Sequence, residues 1–111
     1  MKKESRLTNN ASFNYIYRKG SYLSSHLFGL LYVKAATTKV GVAVSKKIGG
    51  SVVRNLVKRR IKENFRILLP ALTVSANYVV SAKKGIENAS FSEIGEELKR
   101  LLKKVGHLTD G

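Results

Sequence analysis

Between Lys46 and Arg66 the chain places eight cationic side chains (Lys46, Lys47, Arg54, Lys58, Arg59, Arg60, Lys62, Arg66) against a single acid, Glu63. The chain carries a formal charge of +14 over 111 residues, and half of it lies in this segment. Guanidinium groups grip phosphate oxygens in pairs and ammonium groups act as point charges, so the chemistry on offer is recognition of a polyanion backbone. A solubilising helix mixes signs at i, i+4. Here Arg54, Lys58, Lys62 and Arg66 repeat every four residues with no acid among them. Such stacking of like charge costs a few tenths of a kcal/mol per pair, which a bound polyanion offsets.

Bond-breaking chemistry needs other residues. A protein nuclease clusters carboxylates around metal ions or pairs a general acid with a general base. Of the seven acids, only Glu93, Glu96 and Glu97 lie close together, and their place at the start of the last helix suits the macrodipole and a Ser90–Glu93 capping box. His26 and His107 are far apart in sequence and are assigned to surface or loop positions. Gly49-Gly50 reads as a turn and helix start rather than a phosphate-cradling loop. The expectation is therefore no catalytic residue, no metal site and no cofactor held by this chain, which alone is catalytically inert.

Aromatic rings offer a second mode of recognition, because unstacked bases of single-stranded RNA stack on them at roughly 1–3 kcal/mol per base. Phe13 and Tyr17 share one helix face, and Tyr32 sits on a strand that could floor a cleft; a purely structural role in the core is the competing reading for each. Tyr15, Tyr22 and Phe28 are assigned to the scaffold.

These residues need elements to hold them. Asn9, Asn10 or Ser12 can cap a short helix through Phe13, Ile16 and Tyr17 that stops at Gly20. Tyr22-Leu23, Leu27–Val33 and Val40–Val44 read as strands. A long helix follows, with Ser51 as the expected N-cap and Pro70, the only proline, as the stop. At 100° per residue with Arg54 set to 0°, Asn55, Lys58, Arg59, Lys62 and Arg66 fall between about 40° and 140°. Val53, Val57, Ile61, Phe65 and Leu68 occupy about 260° round to 20°, Arg60 lies near 240° and Glu63 near 180°. Arg60 is thereby read as a scaffold arginine. Tyr78–Ala82 reads as a fourth strand, and Phe91, Ile94, Leu98, Leu101, Leu102 and Val105 form the stripe of a last helix. The order α-β-β-β-α-β-α predicts a single-domain α+β sandwich over residues 1–111, a sheet of about four strands with helices packed on it, and flexible ends at 1–5 and 106–111.

Composition narrows the partners. A pI near 10.3 points to RNA, DNA or an anionic surface, and 43% hydrophobic residues point to a globule rather than a basic tail. Residues 83–111 balance six Lys/Arg with five acids, so the polyanion surface is expected in the first two thirds. The absence of cysteine fits a reducing cytosol, no apolar h-region follows Met1-Lys2-Lys3, and no window approaches a membrane span, so a cytoplasmic protein is expected. A membrane-surface helix is disfavoured because Phe65 and the valines are needed for the core. A DNA-reading helix usually follows a short helix and tight turn, and here a strand precedes it. A structural RNA-binding protein of ribosomal type stays open as an alternative.

The run Lys47-Ile48-Gly49-Gly50-Ser51-Val52-Val53-Arg54-Asn55-Leu56-Val57-Lys58-Arg59, with Lys62-Glu63 and Phe65-Arg66, resembles the RNR motif of the bacterial ribonuclease P protein subunit. Arg6-Leu7, Phe13 and Gly20 resemble that family's opening segment, and Val40–Lys47 its strand into the motif, so the resemblance covers about residues 5–105. Ser51 and Lys62 depart mildly from the usual Ala and Arg. The resemblance implies the protein partner of a catalytic RNA that, with Mg²⁺ on the RNA subunit, removes the 5′ leader of precursor tRNA. It implies that Lys46, Lys47, Arg54, Asn55, Lys58, Arg59, Lys62 and Arg66 face the catalytic RNA, and that Phe13, Tyr17 and Tyr32 line a cleft for the leader. DNA and membranes are not implied as partners. It also implies a split β-α-β unit with a left-handed crossover, against the right-handed rule for such units.

Overall fold

The β2 strand explains most of the architecture. In a computed structural model that describes residues 10–109 (of residues 10–14 the backbone alone), it runs Phe28–Lys34 and is apolar on both faces at its start. A strand sends successive side chains to opposite faces, so both faces must be covered. Phe28 and Leu30 point into the larger core with Tyr78 and Val80, whereas Leu31 packs with Val79 and Ile16 in a smaller one. Helices accordingly lie on both sides of the sheet.

The order is α1 (Asn10–Lys19), β1 (Ser21–Ser24), β2, β3 (Lys39–Ala43), α2 (Ser51–Leu68), β4 (Ala76–Ala82) and α3 (Phe91–Lys104), with short 3₁₀ turns at Leu69–Ala71 and Ile86–Asn88. The strands line up β1-β2-β4-β3. β1 with β2 and β2 with β4 are antiparallel, and β3 with β4 is parallel. The expected α-β-β-β-α-β-α order and four-stranded sheet are observed. The split β-α-β is corrected in one respect. β3 and β4, joined through α2, are directly paired in register Val40↔Tyr78, so nothing separates them. The inserted strand is β4, which enters between β2 and β3 and takes the central position because Tyr78, Val79 and Val80 are buried on both faces.

α2 and α3 cover one face. Val57, Ile61, Phe65 and Leu68 of α2 and Ile94, Leu98, Leu101 and Leu102 of α3 are buried there. The two helices meet where Gly95 faces Asn64; a Cβ at Gly95 would overlap Asn64 Oδ1. The Asn64 amide donates to Arg60 O at 2.9 Å and Phe91 O at 3.1 Å, tying the α2 backbone to the α3 start. The predicted capping box is present, with Glu93 N donating to Ser90 Oγ at 3.1 Å and Ser90 N to Glu93 Oε1 at 3.2 Å. α1 covers the other face through Ile16. Gly20 lets the chain turn tightly into β1, since a Cβ there would lie 2.6 Å from Ile16 O and 2.8 Å from Tyr32 O.

Two expectations fail. Ser51 is the first residue of α2, and Gly50 is its N-cap with no side-chain cap. His107 and its neighbours, expected at a loose surface end, are packed. His107 is buried, shares a 2.7 Å hydrogen bond between its Nδ1 and the Tyr78 hydroxyl, and meets the Tyr32 ring edge-on with centroids 4.7 Å apart. Thr73 N donates to His107 O at 2.9 Å and Leu108 pairs with Leu72, so residues 106–108 close the large core. Burial first, and then Lys34, pushes the His107 pKa below its ordinary value; burial pushes the Tyr78 hydroxyl up to about 12.

Candidate nucleic-acid interface

α2 carries its charge because its core needs only one arc. With Val57, Ile61, Phe65 and Leu68 facing the sheet, the opposite arc carries the polar residues, Asn55 and Arg59 exposed and Lys58 and Lys62 half-buried. Arg54 sits at the boundary. It is half-buried, and its Nε is enclosed with no hydrogen-bond partner among the described residues. Lys46 and Lys47 stand exposed on the turn before the helix, which is pinned by buried Ile48 and by Ile48 N donating to Ser45 O at 3.1 Å. The helix N-terminus beside them has neither a side-chain cap nor an acid in its first turn. Its open N–H groups and the macrodipole add to the positive potential.

Pairing shows which charges of this helix are already met within the protein. Among the described residues all five carboxylates are engaged. Glu87 pairs with Lys84 at 2.9 Å, Glu96 with Lys99 at 3.9 Å, Glu97 with Arg100 at 3.0 Å, and Glu93 serves the capping box. Glu63 holds Arg66 through Nε at 3.0 Å and Nη2 at 2.9 Å. Arg66, expected to be without an acidic partner, is therefore neutralised by Glu63, and its guanidinium holds that carboxyl below its ordinary pKa. Arg60 is the scaffold residue expected, donating from Nη1 to Ala89 O at 3.0 Å. Among the described residues Arg54, Lys58, Arg59 and Lys62 make neither an ion pair nor a side-chain hydrogen bond. The face contracts to these four with Lys46, Lys47 and Asn55.

The three predicted cleft aromatics are not brought together. Tyr17 is 50% exposed on α1. The Phe13 side chain lies outside the described residues. Tyr32 shares the parity of Phe28 and Leu30, so its ring packs beside Tyr78 and His107 under α2, on the sheet face opposite α1. Residues on the α1 face are instead Leu31, Val79 and Val33, with Tyr22 opposite Leu31 at the β1 edge. Phe28 is core as expected, but Tyr15 and Tyr22 are exposed rather than scaffold. Strand parity could have flagged Tyr22: Leu30 and Leu31 differ by one position, and only the register decides which looks toward α1.

No group of three or more His, Cys, Asp or Glu comes together among the described residues, and no helix there is long and apolar enough to cross a membrane. Such a chain is a small mixed-sheet domain built around one unneutralised cationic helix.

Comparison with known proteins places it more narrowly. The family model described as Ribonuclease P matches residues 1–106. The ribonuclease P protein component of Clostridium kluyveri is 41% identical over 106 residues, covering 91% of this chain and 94% of that protein. The Exiguobacterium protein component is 38% identical, covering 95% and 93%. Among solved structures, the Staphylococcus aureus RNase P protein superposes with a TM-score of 0.85 at 28% identity, covering 95% of this chain and 98% of that one. The Thermotoga maritima RNase P protein gives 0.82 at 28% identity, covering 89% and 98%. The chain belongs to the ribonuclease P protein family. Its role is that of the protein component in tRNA 5′ maturation, an endoribonuclease function of a ribonucleoprotein whose catalysis is borne by RNA.

Proposed function

We propose a division of labour between the two sides of this domain. The cationic face of α2, with Lys46 and Lys47 before it, seats on the structured catalytic RNA through Arg54, Asn55, Lys58, Arg59 and Lys62. The α1 side of the sheet, with Tyr17 at its rim, receives the single-stranded 5′ leader of precursor tRNA. Mg²⁺ is held by the RNA, the protein supplying no ligand set of its own, and the complex works in the cytoplasm without membrane or DNA.

The observation that carries this reading is the pairing pattern: every described carboxylate is engaged, yet four cations on one helix have no partner. The helix backbone is already ordered, so only side-chain entropy is lost when its lysines and arginines meet phosphate, and each contact releases a condensed counterion. Neutralising phosphates also lets RNA helices approach with fewer divalent ions. Adding the protein to the catalytic RNA at low Mg²⁺ is expected to raise precursor tRNA cleavage strongly; cleavage unchanged by the protein would contradict the proposal.

A further inference from the structure

Tyr22 is an exposed aromatic with a built seat. It projects from β1 onto the α1 side of the sheet, opposite Leu31. Its ring does not stand over Leu31 but leans across the neighbouring strand above Gly29. A Cβ at Gly29 would lie 2.6 Å from Tyr22 Oη, 2.7 Å from Cε1 and 3.0 Å from Cζ. The ring thus occupies the space that any other residue at position 29 would fill. With Cζ farther away than both Oη and Cε1, Gly29 lies near the plane of the ring, so the Cε1–Oη edge is what sits over β2, and the residue remains 56% exposed. An aromatic seated by its edge in a glycine notch, with more than half of its surface exposed, is a stacking platform whose ordering cost is largely met by folding.

The platform stands at the end of a shallow track. Gly29 pairs with Ser81, and Ser81 with Ala43, so three small residues lie side by side across β2, β4 and β3 on the α1 side. Ile16 anchors α1 over the adjacent Leu31, Val79 and Val33, leaving the row of small residues beside the helix. Beyond Ala43 the chain runs to exposed Lys46 and Lys47. An aromatic plate at one end, small residues along the floor and lysines at the other end match a short stretch of single-stranded RNA, with a base on the ring and phosphates toward the lysines.

We infer that Tyr22, seated on Gly29, stacks a base of the 5′ leader and is a leader-binding residue of this chain. The inference rests on the proposed leader-binding role of the α1 side. Stacking is sequence-tolerant and stronger for purines, so Tyr22 contributes most when a purine reaches it.

The test uses the complex with the catalytic RNA, precursor tRNA with its leader, and mature tRNA. Tyr22→Ala is expected to weaken precursor binding about fivefold or more while leaving mature tRNA unchanged, and Tyr22→Phe to bind like wild type. Gly29→Val, which pushes the ring off its seat, should reproduce part of the loss. With 2-aminopurine placed successively along the leader, one position should be quenched in the wild type and in Tyr22→Phe, and bright in Tyr22→Ala. If the wild-type complex shows no preference for leader-bearing over mature tRNA, the leader reading fails and this inference with it. If that preference survives intact in Tyr22→Ala, or no quenched position depends on Tyr22, the stacking role of Tyr22 alone is overturned. Should Gly29→Val not fold, the Ala and Phe variants still decide.

Discussion

α2 and α3 lie side by side on the same face of the sheet, are both amphipathic, and both carry many charged residues. They differ in what their charges meet. On α3 Glu96 and Glu97 pair with Lys99 and Arg100 at i+3, and Glu97 also accepts from Ser25 Oγ at 3.0 Å and contacts His26 Nδ1 at 3.1 Å. On α2 one acid pairs with one arginine, and Arg54, Lys58, Arg59 and Lys62 have no such partner among the described residues. Among the described residues most charge on α3 is met within the protein, Lys104 excepted, and exposed pairs are worth at most about 1 kcal/mol each. Charge on α2 is left largely unmet by the described residues, which is what the proposed RNA interface needs. Net charge alone does not separate a scaffold helix from an interface helix; the state of its partners does.

Reversing the α2 charges should break this contrast most strongly. Lys58→Glu/Lys62→Glu is expected to lower affinity for the catalytic RNA about 100-fold or more, since each charge-assisted contact is worth roughly 1.5–3 kcal/mol. Fluorescence anisotropy at fixed salt measures it, and thermal unfolding should change little.

Gly95→Ala should do the converse. The new methyl displaces Asn64 from its bonds to Arg60 O and Phe91 O and pries the helices apart. A loss of about 1–3 kcal/mol in urea unfolding is expected, with the salt dependence of RNA binding unaltered.

Tyr78→Phe leaves buried His107 Nδ1 without its partner and should cost about 1–2 kcal/mol. His107 also gives stability a pH dependence with a definite sign. Its folded pKa lies below its ordinary value of 6.5, so its contribution is complete above 6.5 and is lost as pH falls below it. In His107→Leu that decline between neutral and mildly acid pH should flatten, as read by urea midpoints at successive pH values.

Glu97→Gln is the smallest step. The bidentate Arg100 first, then the Ser25 hydroxyl, holds its carboxyl down at about 2 from 4.5. Its contribution is present above 4.5 and disappears as pH falls toward 2. The variant should unfold at a slightly higher pH on acidification and keep wild-type RNA affinity.

Much of this was legible in the sequence. Apolar spacing from Val57 to Leu68 located α2, although Val53, expected on the same arc, is exposed one turn before the sheet is reached; the Ser90–Glu93 pair marked the start of α3, and four-residue spacing marked the cationic face. The rest depended on contacts between distant segments. Arg66 looked free because its i−4 neighbour is Lys62; its partner Glu63 sits at i−3, and only the side-chain rotamers bring the two together. Tyr32 lies on the face away from α1 and Tyr22 on the α1 face because a one-residue shift in strand parity moves a ring from one face to the other, and β4 entering between β2 and β3 is invisible to local pattern. His107 was misjudged because nothing near it in sequence announces Tyr78, its partner 29 residues away.

The central claim is that the unpaired cations of α2, rather than the protein's overall charge, neutralise RNA phosphate. The direct measurement is the slope of log affinity for the catalytic RNA against log salt concentration, compared for wild type, Lys58→Ala/Lys62→Ala on α2 and Lys99→Ala/Lys104→Ala on α3. Both variants remove the same charge. The α2 variant is expected to flatten the slope by about two and the α3 variant to leave it at the wild-type value. Equal flattening by the two variants, or none by the α2 variant, would contradict it.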